Sequence, residues 1–375
     1  MDLHETPEHR RFRADARAWL AANVPEPLPV DDMWTRRDLE HRRAWARKLA
    51  DEGWAGIDWP IEYGGRGLTT VHRAIWFEEV ARAKAPDSFQ TPIDNLGSTI
   101  VACGTEEQKQ RYLRPMLRGD EVWAQGFSEP DAGSDLANIC TRAEWRDGRW
   151  IVHGQKTWTS YARWATGAYV LARTSKEASR YGGISYLLVP MDQPAVRIQP
   201  IKMISGDEDR FAEMWLDGAE AIDVVGDVGD GWNVAMKTLA HERFTRSFLL
   251  WSEQRKALDD LLASVAARDL SGPVRQDLAG LESWLSVFRW TCLRFLASLS
   301  DGRSPTVEGA LLKLGWSEWN QRLMNTAMSL LGPEATISGS PWHNHFYYSR
   351  AETIFAGSSE IQRNVIGERG LGLPR

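Results

Sequence analysis

A chain of 375 residues, 43% hydrophobic and 26% charged, has enough material for two or three domains with buried cores. Its net charge of −6 and its scattered Lys and Arg argue against nucleic acid as a partner. No apolar run approaches the roughly 20 residues of a membrane span, and the opening Met1-Asp-Leu-His-Glu5 lacks a signal-peptide core, so the expected setting is the cytoplasm, with no membrane partner.

Residues 1–120 read as helical. Phe12, Ala16, Trp19 and Leu20 recur at helical spacing, and Pro25, Pro27 and Pro29 then break the chain. A second amphipathic helix covers Leu39 to Leu49. Tyr63-Gly-Gly-Arg-Gly67 reads as a turn rather than a phosphate loop, because no strand precedes it. Thr70 to Ala83 is apolar-periodic, and Thr105-Glu-Glu-Gln108 has the spacing of a capping box. From Glu121 to about Val228 the period becomes alternating. Thr141, Ala143 and Trp145 lead to an Asp147-Gly148 turn, and Trp150 and Val152 return. Further strands are expected at Ala168–Arg173, Ile184–Val189, Val196–Ile201, Phe211–Leu216 and Ala221–Val225. Asp227-Val-Gly-Asp-Gly-Trp232 launches a long helix, which Ser271-Gly-Pro273 breaks. Val274 to about Ser300, Thr306 to Leu331 and Ser358 to Ile366 read as further helices. His343-Asn-His345 reads as a loop and not a metal site, since no cysteine or paired carboxylate is nearby. The cysteines, Cys103, Cys140 and Cys292, are far apart and odd in number. They fit a reducing compartment and give neither a disulfide framework nor a metal pair.

Two stretches carry chemistry. Gln125-Gly-Phe-Ser-Glu-Pro-Asp-Ala-Gly-Ser-Asp135 is small, polar and turn-forming, so its N–H groups and hydroxyls can face a polar ligand. Gly154-Gln-Lys-Thr-Trp-Thr-Ser160 follows on the hairpin, which should return Trp158-Thr159-Ser160 towards Phe127 and Ser128. An aromatic wall beside two hydroxyls suits a flat heteroaromatic ring with hydrogen-bonding edges. Nineteen tryptophans mean that many are packing residues, so no single Trp is evidence of cofactor stacking.

Together these stretches resemble the flavin-contacting segments of acyl-CoA dehydrogenases. The resemblance continues in Arg350-Ala-Glu-Thr-Ile-Phe-Ala-Gly-Ser-Ser-Glu-Ile-Gln-Arg-Asn364 and Leu371-Gly-Leu-Pro-Arg375, and it covers nearly the whole chain in order. The expected fold is α+β and multidomain. Residues 1–120 form an N-terminal helical domain, 121–228 a middle β-barrel-like domain, and 229–375 a C-terminal four-helix-type bundle. The resemblance implies FAD as cofactor, an acyl-CoA or other acyl-thioester as substrate, and an electron-transfer flavoprotein as electron acceptor. It also implies a homodimer or homotetramer, with a heteromer as the alternative. The reaction would remove a proton from the carbon next to the thioester carbonyl and a hydride from its neighbour, leaving a 2,3-double bond.

The family pattern assigns roles by position. Gln125, Phe127, Ser128, Gly133 and Ser134 match positions lining FAD, with Ser134 also near the thioester arm. Trp158, Thr159 and Ser160 match the flanking wall near flavin N5, and Gly357, Ser358 and Glu360 match contacts from the C-terminal motif. The N–H of Ala356 matches the donor that polarises the thioester carbonyl. Many members carry the catalytic Glu at the position of Ala356, and alanine takes no proton. A second arrangement, resembling isovaleryl-CoA dehydrogenase, puts the Glu on a helix immediately before an Arg, and Glu242-Arg243 matches it. Glu242 is therefore the expected base and Arg243 lies near the CoA moiety. The plain alternative for Glu242 is a helix-surface acid paired with a neighbouring Arg; Glu360 and Glu352 are the competing carboxylates. Two segments depart from the pattern. Arg-Gln-x-Phe, which meets the pyrophosphate, survives only as Arg275-Gln276-Asp-Leu278, and Gln-x-x-Gly-Gly appears as Ser329-Leu-Leu-Gly332-Pro333. The second departure keeps open a non-catalytic, FAD-sharing subunit of a heteromeric dehydrogenase. A flavin monooxygenase on the same fold is the other alternative.

Overall fold

The computed structural model describes residues 5–29, 32–175, 179–206, 209–300, 307–337 and 340–374, and for residues 241–246 the main chain alone. The helical segments before the sheet are α1 (Pro7–Asn23), α2 (Arg36–Asp51), α3 (Thr70–Arg82), α4 (Gln90–Pro92), α5 (Ser98–Cys103) and α6 (Glu106–Leu117), with a π-turn, Ile93–Gly97, joining α4 to α5. Their starts follow from local chemistry. Thr6 accepts the N–H of His9 ahead of Pro7, whose missing donor is harmless in the first turn. The capping box expected at Thr105 is formed: Gln108 N donates to Thr105 Oγ1 at 3.3 Å, and Thr105 N donates to Gln108 Oε1 at 3.0 Å.

The strands are β1 (Trp123–Gly126), β2 (Arg142–Arg146), β3 (Arg149–Ser160), β4 (Gly167–Arg173), β5 (Ile184–Pro190), β6 (Val196–Pro200), β7 (Phe211–Ala221) and β8 (Asp223–Val224). They make one sheet in the order β6-β7-β3-β2-β4-β5-β8, with β1 parallel to β4. The β2–β3 hairpin turns at Asp147 and Gly148, both at positive φ as a two-residue turn requires. The sheet is open, with β6 and β8 at its two ends, so it does not confirm the barrel-like closure expected from the sequence. At the β8 end, α6 takes the place of a further strand. Gln108 Nε2 donates to Asp223 Oδ1 at 2.6 Å and to Val224 O at 2.8 Å, and Tyr112 OH donates to Asp223 Oδ2 at 3.1 Å.

After the sheet come α7 (Gly231–Val265), α8 (Gly272–Ser300), α9 (Glu308–Leu331), α10 (Pro341–Glu352) and α11 (Ser359–Val365). Three expectations change. Gln125 and Gly126, expected to open the loop, instead end β1 (Trp123–Gly126). The expected strand Ala221–Val225 is divided between the end of β7 and the two-residue β8. His343 and His345 sit on α10 and not in a loop. Its fully buried residues are Ser349 and Glu352, and its apolar contact with the helical core comes from the half-buried Trp342 and Phe346, a short i,i+4 pair. Among the described residues, no helix is long and apolar enough to cross a membrane.

The chain divides into two compact units. One holds residues 32–67 and 86–242, and its core lies on the sheet around Val152, Val170, Leu187, Val189, Met214 and Leu216. The other holds residues 1–31, 68–85 and 243–375. Its helical core includes Leu258, Leu261, Leu281, Leu285, Trp319 and Leu323, with Trp319 Nε1 donating to Leu281 O at 3.0 Å. In the same unit, Arg13 and Arg17 on α1 pair with the buried Glu79 of α3 at 2.9 and 2.8 Å.

Candidate active site

In the sheet unit, the two motif stretches are bound to each other through a buried ion pair. Lys156, wholly buried on β3, donates from Nζ to Glu129 Oε1 at 2.7 Å and to Phe127 O at 3.2 Å. Glu129 also accepts Cys140 N at 2.6 Å and Thr141 N at 2.9 Å. The loop between closes on itself, with Glu129 and Ala132 exchanging main-chain bonds of 3.0 and 3.1 Å. Burial raises the Glu129 carboxyl, but Lys156 and the N–H donors outweigh it and hold the group below its usual range. Burial draws the Lys156 ammonium down to about 8, which leaves it protonated at pH 7. The pair is therefore ionised at neutral pH.

The return of the hairpin brings Thr157 N to Ser128 O at 2.9 Å. At this point β3 bulges against β7: Lys156 faces Met214, and the next pair is Thr159 with Ala212. The bulge turns Trp158 to φ 57° and leaves it 56% exposed, with its ring edge-on to Phe211 at 6.2 Å. An exposed indole in left-handed backbone is unusual, since such strain persists only where the surroundings enforce it. Thr159 is buried and Ser160 half-buried at the end of β3. Phe127 is fixed edge-on to Tyr169 and Tyr186 at 5.8 and 5.9 Å. Gln125, on β1, accepts Asn95 Nδ2 at 3.2 Å from the π-turn and Tyr169 OH at 3.4 Å. Gly133 and Ser134 are exposed on the loop. Gln125, Phe127, Ser128, Trp158, Thr159 and Ser160 thus belong to one neighbourhood of the sheet.

The helical unit carries the C-terminal motif between α10 and α11. Ala356 and Gly357 have φ of 53° and 88°, and Ser358 caps α11 by accepting Ile361 N at 3.3 Å. Gln362, buried on α11, donates from Nε2 to Ala356 O at 3.1 Å and to Gly357 O at 3.3 Å. A Cβ on residue 357 would collide with that Nε2. Gly357→Ala is therefore expected to destabilise the fold by about 1–2 kcal/mol, the usual penalty for a side chain in left-handed backbone, measurable by urea denaturation. Glu360 is exposed in the first turn of α11, where its own N–H and Ser358 keep its carboxyl below the ordinary value. Glu352 is buried and accepts Asn320 Nδ2 at 2.6 Å.

Other expected site residues stand differently. Arg275 lies exposed near the start of α8 and donates to Leu270 O on its own loop at 2.9 Å. Glu242 and Arg243 lie on α7, but their side chains are outside the described residues. The sequence reading gave no role to Glu129 or Lys156, although an acid in one motif and a lysine in the other were the signal available. Asn95 was likewise passed over.

Several buried polar atoms have no hydrogen-bond partner among the described residues: Thr159 Oγ1 in the sheet unit, and Ser359 Oγ, Gln362 Oε1 and Lys313 Nζ in the helical unit. Burial draws the Lys313 ammonium down to about 8, against the pull of Glu352, Glu360 and Glu318. Atoms of this kind are rarely left unsatisfied in a folded protein. In the sheet unit, the Thr159 hydroxyl at the end of β3 fits a ligand with a hydrogen-bonding edge.

Family models for the N-terminal, middle and C-terminal domains of acyl-CoA dehydrogenase match residues 6–120, 124–219 and 229–371. "Acyl-CoA dehydrogenase IpdE1" of Mycolicibacterium smegmatis is 40% identical to this chain, with 98% of each covered. Two solved structures are similar along their whole length, with 100% of each chain covered. "Tcur3481-Tcur3483 steroid ACAD" has TM-score 0.87 and 29% identity, and the "ChsE4-ChsE5 complex" from Mycobacterium tuberculosis has TM-score 0.81 and 26% identity. The chain belongs to the acyl-CoA dehydrogenase family, flavoprotein oxidoreductases that act on the CH–CH bond of acyl-CoA.

Proposed function

We propose that the chain is a FAD-dependent acyl-thioester dehydrogenase that introduces a 2,3-double bond. The observation that carries this reading is the tie between the two motif stretches, made by Glu129–Lys156 and Thr157–Ser128, beside a buried Thr159 hydroxyl that lacks a partner. Bound FAD would supply the hydride acceptor at N5. The chain supplies the rest. Gln125, Phe127, Ser128, Gly133, Ser134, Trp158, Thr159 and Ser160 seat the cofactor, and the family pattern adds Arg275, Gly357, Ser358 and Glu360 as further contacts. The N–H of Ala356 binds the thioester carbonyl oxygen as negative charge builds on it, which acidifies the adjacent C–H. Glu242 takes that proton, and Arg243 and Ser134 hold the thioester's carrier. An electron-transfer flavoprotein reoxidises the enzyme, which acts as a homo-oligomer.

A second reading makes the chain one subunit of a heteromeric dehydrogenase. Pro333 stands where the family pattern has its second glycine, and both structural relatives bear names that pair two components. Titrating the purified chain with FAD, then mixing it anaerobically with a panel of acyl-CoA thioesters, separates the two. The enzyme reading expects stoichiometric flavin uptake and loss of flavin absorbance with at least one thioester. A chain that takes up flavin only after a second polypeptide is added favours the subunit reading.

A further inference from the structure

The residue after Ser160 is held by a charged network, buried at Arg42 and Asp38 and half-buried at Asp87, that the reaction scheme does not use. Tyr161 has φ 62° and ψ 2°, and its phenol donates to Asp87 Oδ2 at 2.8 Å. The same oxygen accepts Arg42 Nη1 at 2.6 Å, while Asp87 Oδ1 accepts Gln90 N at 3.0 Å at the start of α4. Arg42 is buried on α2, and its Nε donates to Asp38 Oδ2 at 2.9 Å; that oxygen also accepts Trp34 N at 2.9 Å. Aromatic packing closes the cluster, with Trp34 at 5.5 Å and Phe89 at 6.1 Å from the Tyr161 ring. Burial, reinforced by Asp87, pushes the Tyr161 phenol well above its ordinary range, so it remains a donor at any working pH.

Left-handed backbone at a tyrosine costs on the order of 1–2 kcal/mol unless something fixes it. Along this stretch of chain both Trp158 and Tyr161 adopt it, bracketing Thr159 and Ser160, and the packing partners Trp34 and Phe89 adopt it too. The β-bulge accounts for Trp158. We propose that Tyr161 is a positioning residue, and that its bond to the Asp87–Arg42–Asp38 network fixes the main-chain turn that sets the orientation of Ser160 towards the flavin. The proposal rests on the flavoenzyme reading above. Asp87 also accepts Gln90 N at the first residue of α4, so one carboxylate is bonded both to the Tyr161 turn and to the helical run that leads to Asn95.

Tyr161→Phe is the discriminating variant. It keeps the ring packing, and Asp87 keeps Arg42 and Gln90 as partners, so the fold should persist. Expected results are FAD binding weakened about ten-fold, a displaced long-wavelength flavin band and a shifted flavin reduction potential, with little change in the melting temperature of the flavin-free protein. Asp87→Ala should move the same three readouts in the same direction, and the double variant should be less than additive. Tyr161→Phe with wild-type affinity, spectrum and potential overturns the positioning role, whatever its melting temperature. A wild-type chain that takes up no FAD instead overturns the flavoenzyme reading, and this proposal with it.

Discussion

Glu242→Gln is expected to bind FAD as the wild type does and to reduce it with acyl-CoA about 10⁴-fold more slowly, the upper end of what a positioned base contributes. A C–H next to a thioester is a weak acid even when its carbonyl is polarised, so the reaction needs a carboxylate within reach. Position 356 offers only a methyl group. The carboxylates near the C-terminal motif are poorly suited to the task. Glu360 is exposed and held below its ordinary pKa by its own N–H and Ser358, which weakens it as a base, while Glu352 is buried and engaged by Asn320 at 2.6 Å. Stopped-flow anaerobic reduction of the variant decides the assignment. Bleaching at the wild-type rate would remove Glu242 from the mechanism, and loss of flavin from the variant would show a binding role in its place.

Lys156→Met should be the most damaging single change in the sheet unit, at about 3–5 kcal/mol, because it leaves a buried carboxylate without its counter-charge. Glu129 would retain two main-chain donors, Cys140 and Thr141, but no cation, and the Phe127 carbonyl would lose its partner. The sign with pH follows. In the wild type the Glu129 carboxyl is held below its unfolded pKa, so its contribution is present above that value and lost as pH falls through the folded pKa. In Lys156→Met the carboxyl is raised, and protonation relieves the defect. Urea denaturation should therefore show a gap between variant and wild type that narrows as pH falls from 7 into the acid range. Glu129→Gln combined with Lys156→Met should recover part of the loss. A double variant as unstable as Lys156→Met alone would mean that packing, and not the unpaired charge, sets the penalty.

What the sequence made legible depended on which forces produced each element. The Asp147-Gly148 hairpin, the Thr105 box and strands such as Ile184–Val189 were readable because local rules and apolar runs coincide there. The π-turn at Ile93–Gly97 and the four-residue β1 carry too little pattern to register. Helix α10 was missed because only Trp342 and Phe346 carry its apolar period, while its fully buried residues are Ser349 and Glu352. The expected Phe211–Leu216 stops five residues short of the end of β7, because Asp217-Gly218 reads as a turn while the strand runs on to Ala221, and α6 meets the β8 end of the open sheet through Gln108 and Tyr112. In the candidate site, the residues matched to the family pattern were visible as motifs. The groups that hold them in place were not: nothing along the chain pairs Glu129 with Lys156 or Asp87 with Arg42 until the fold brings them together.

Exposed strand edges are templates for adding another chain and hence for aggregation. An open sheet has two of them, and here each is blunted. The edge strand β8 is two residues long, too short to seed a ladder, and its Asp223 is engaged by side chains of α6. The other, β6, ends at Pro200, which has no N–H to offer, and carries Arg197, whose guanidinium lies 3.9 Å from the centre of the Trp215 ring. Strand-to-strand polymerisation through this domain therefore has little to build on, even though the sheet never closes.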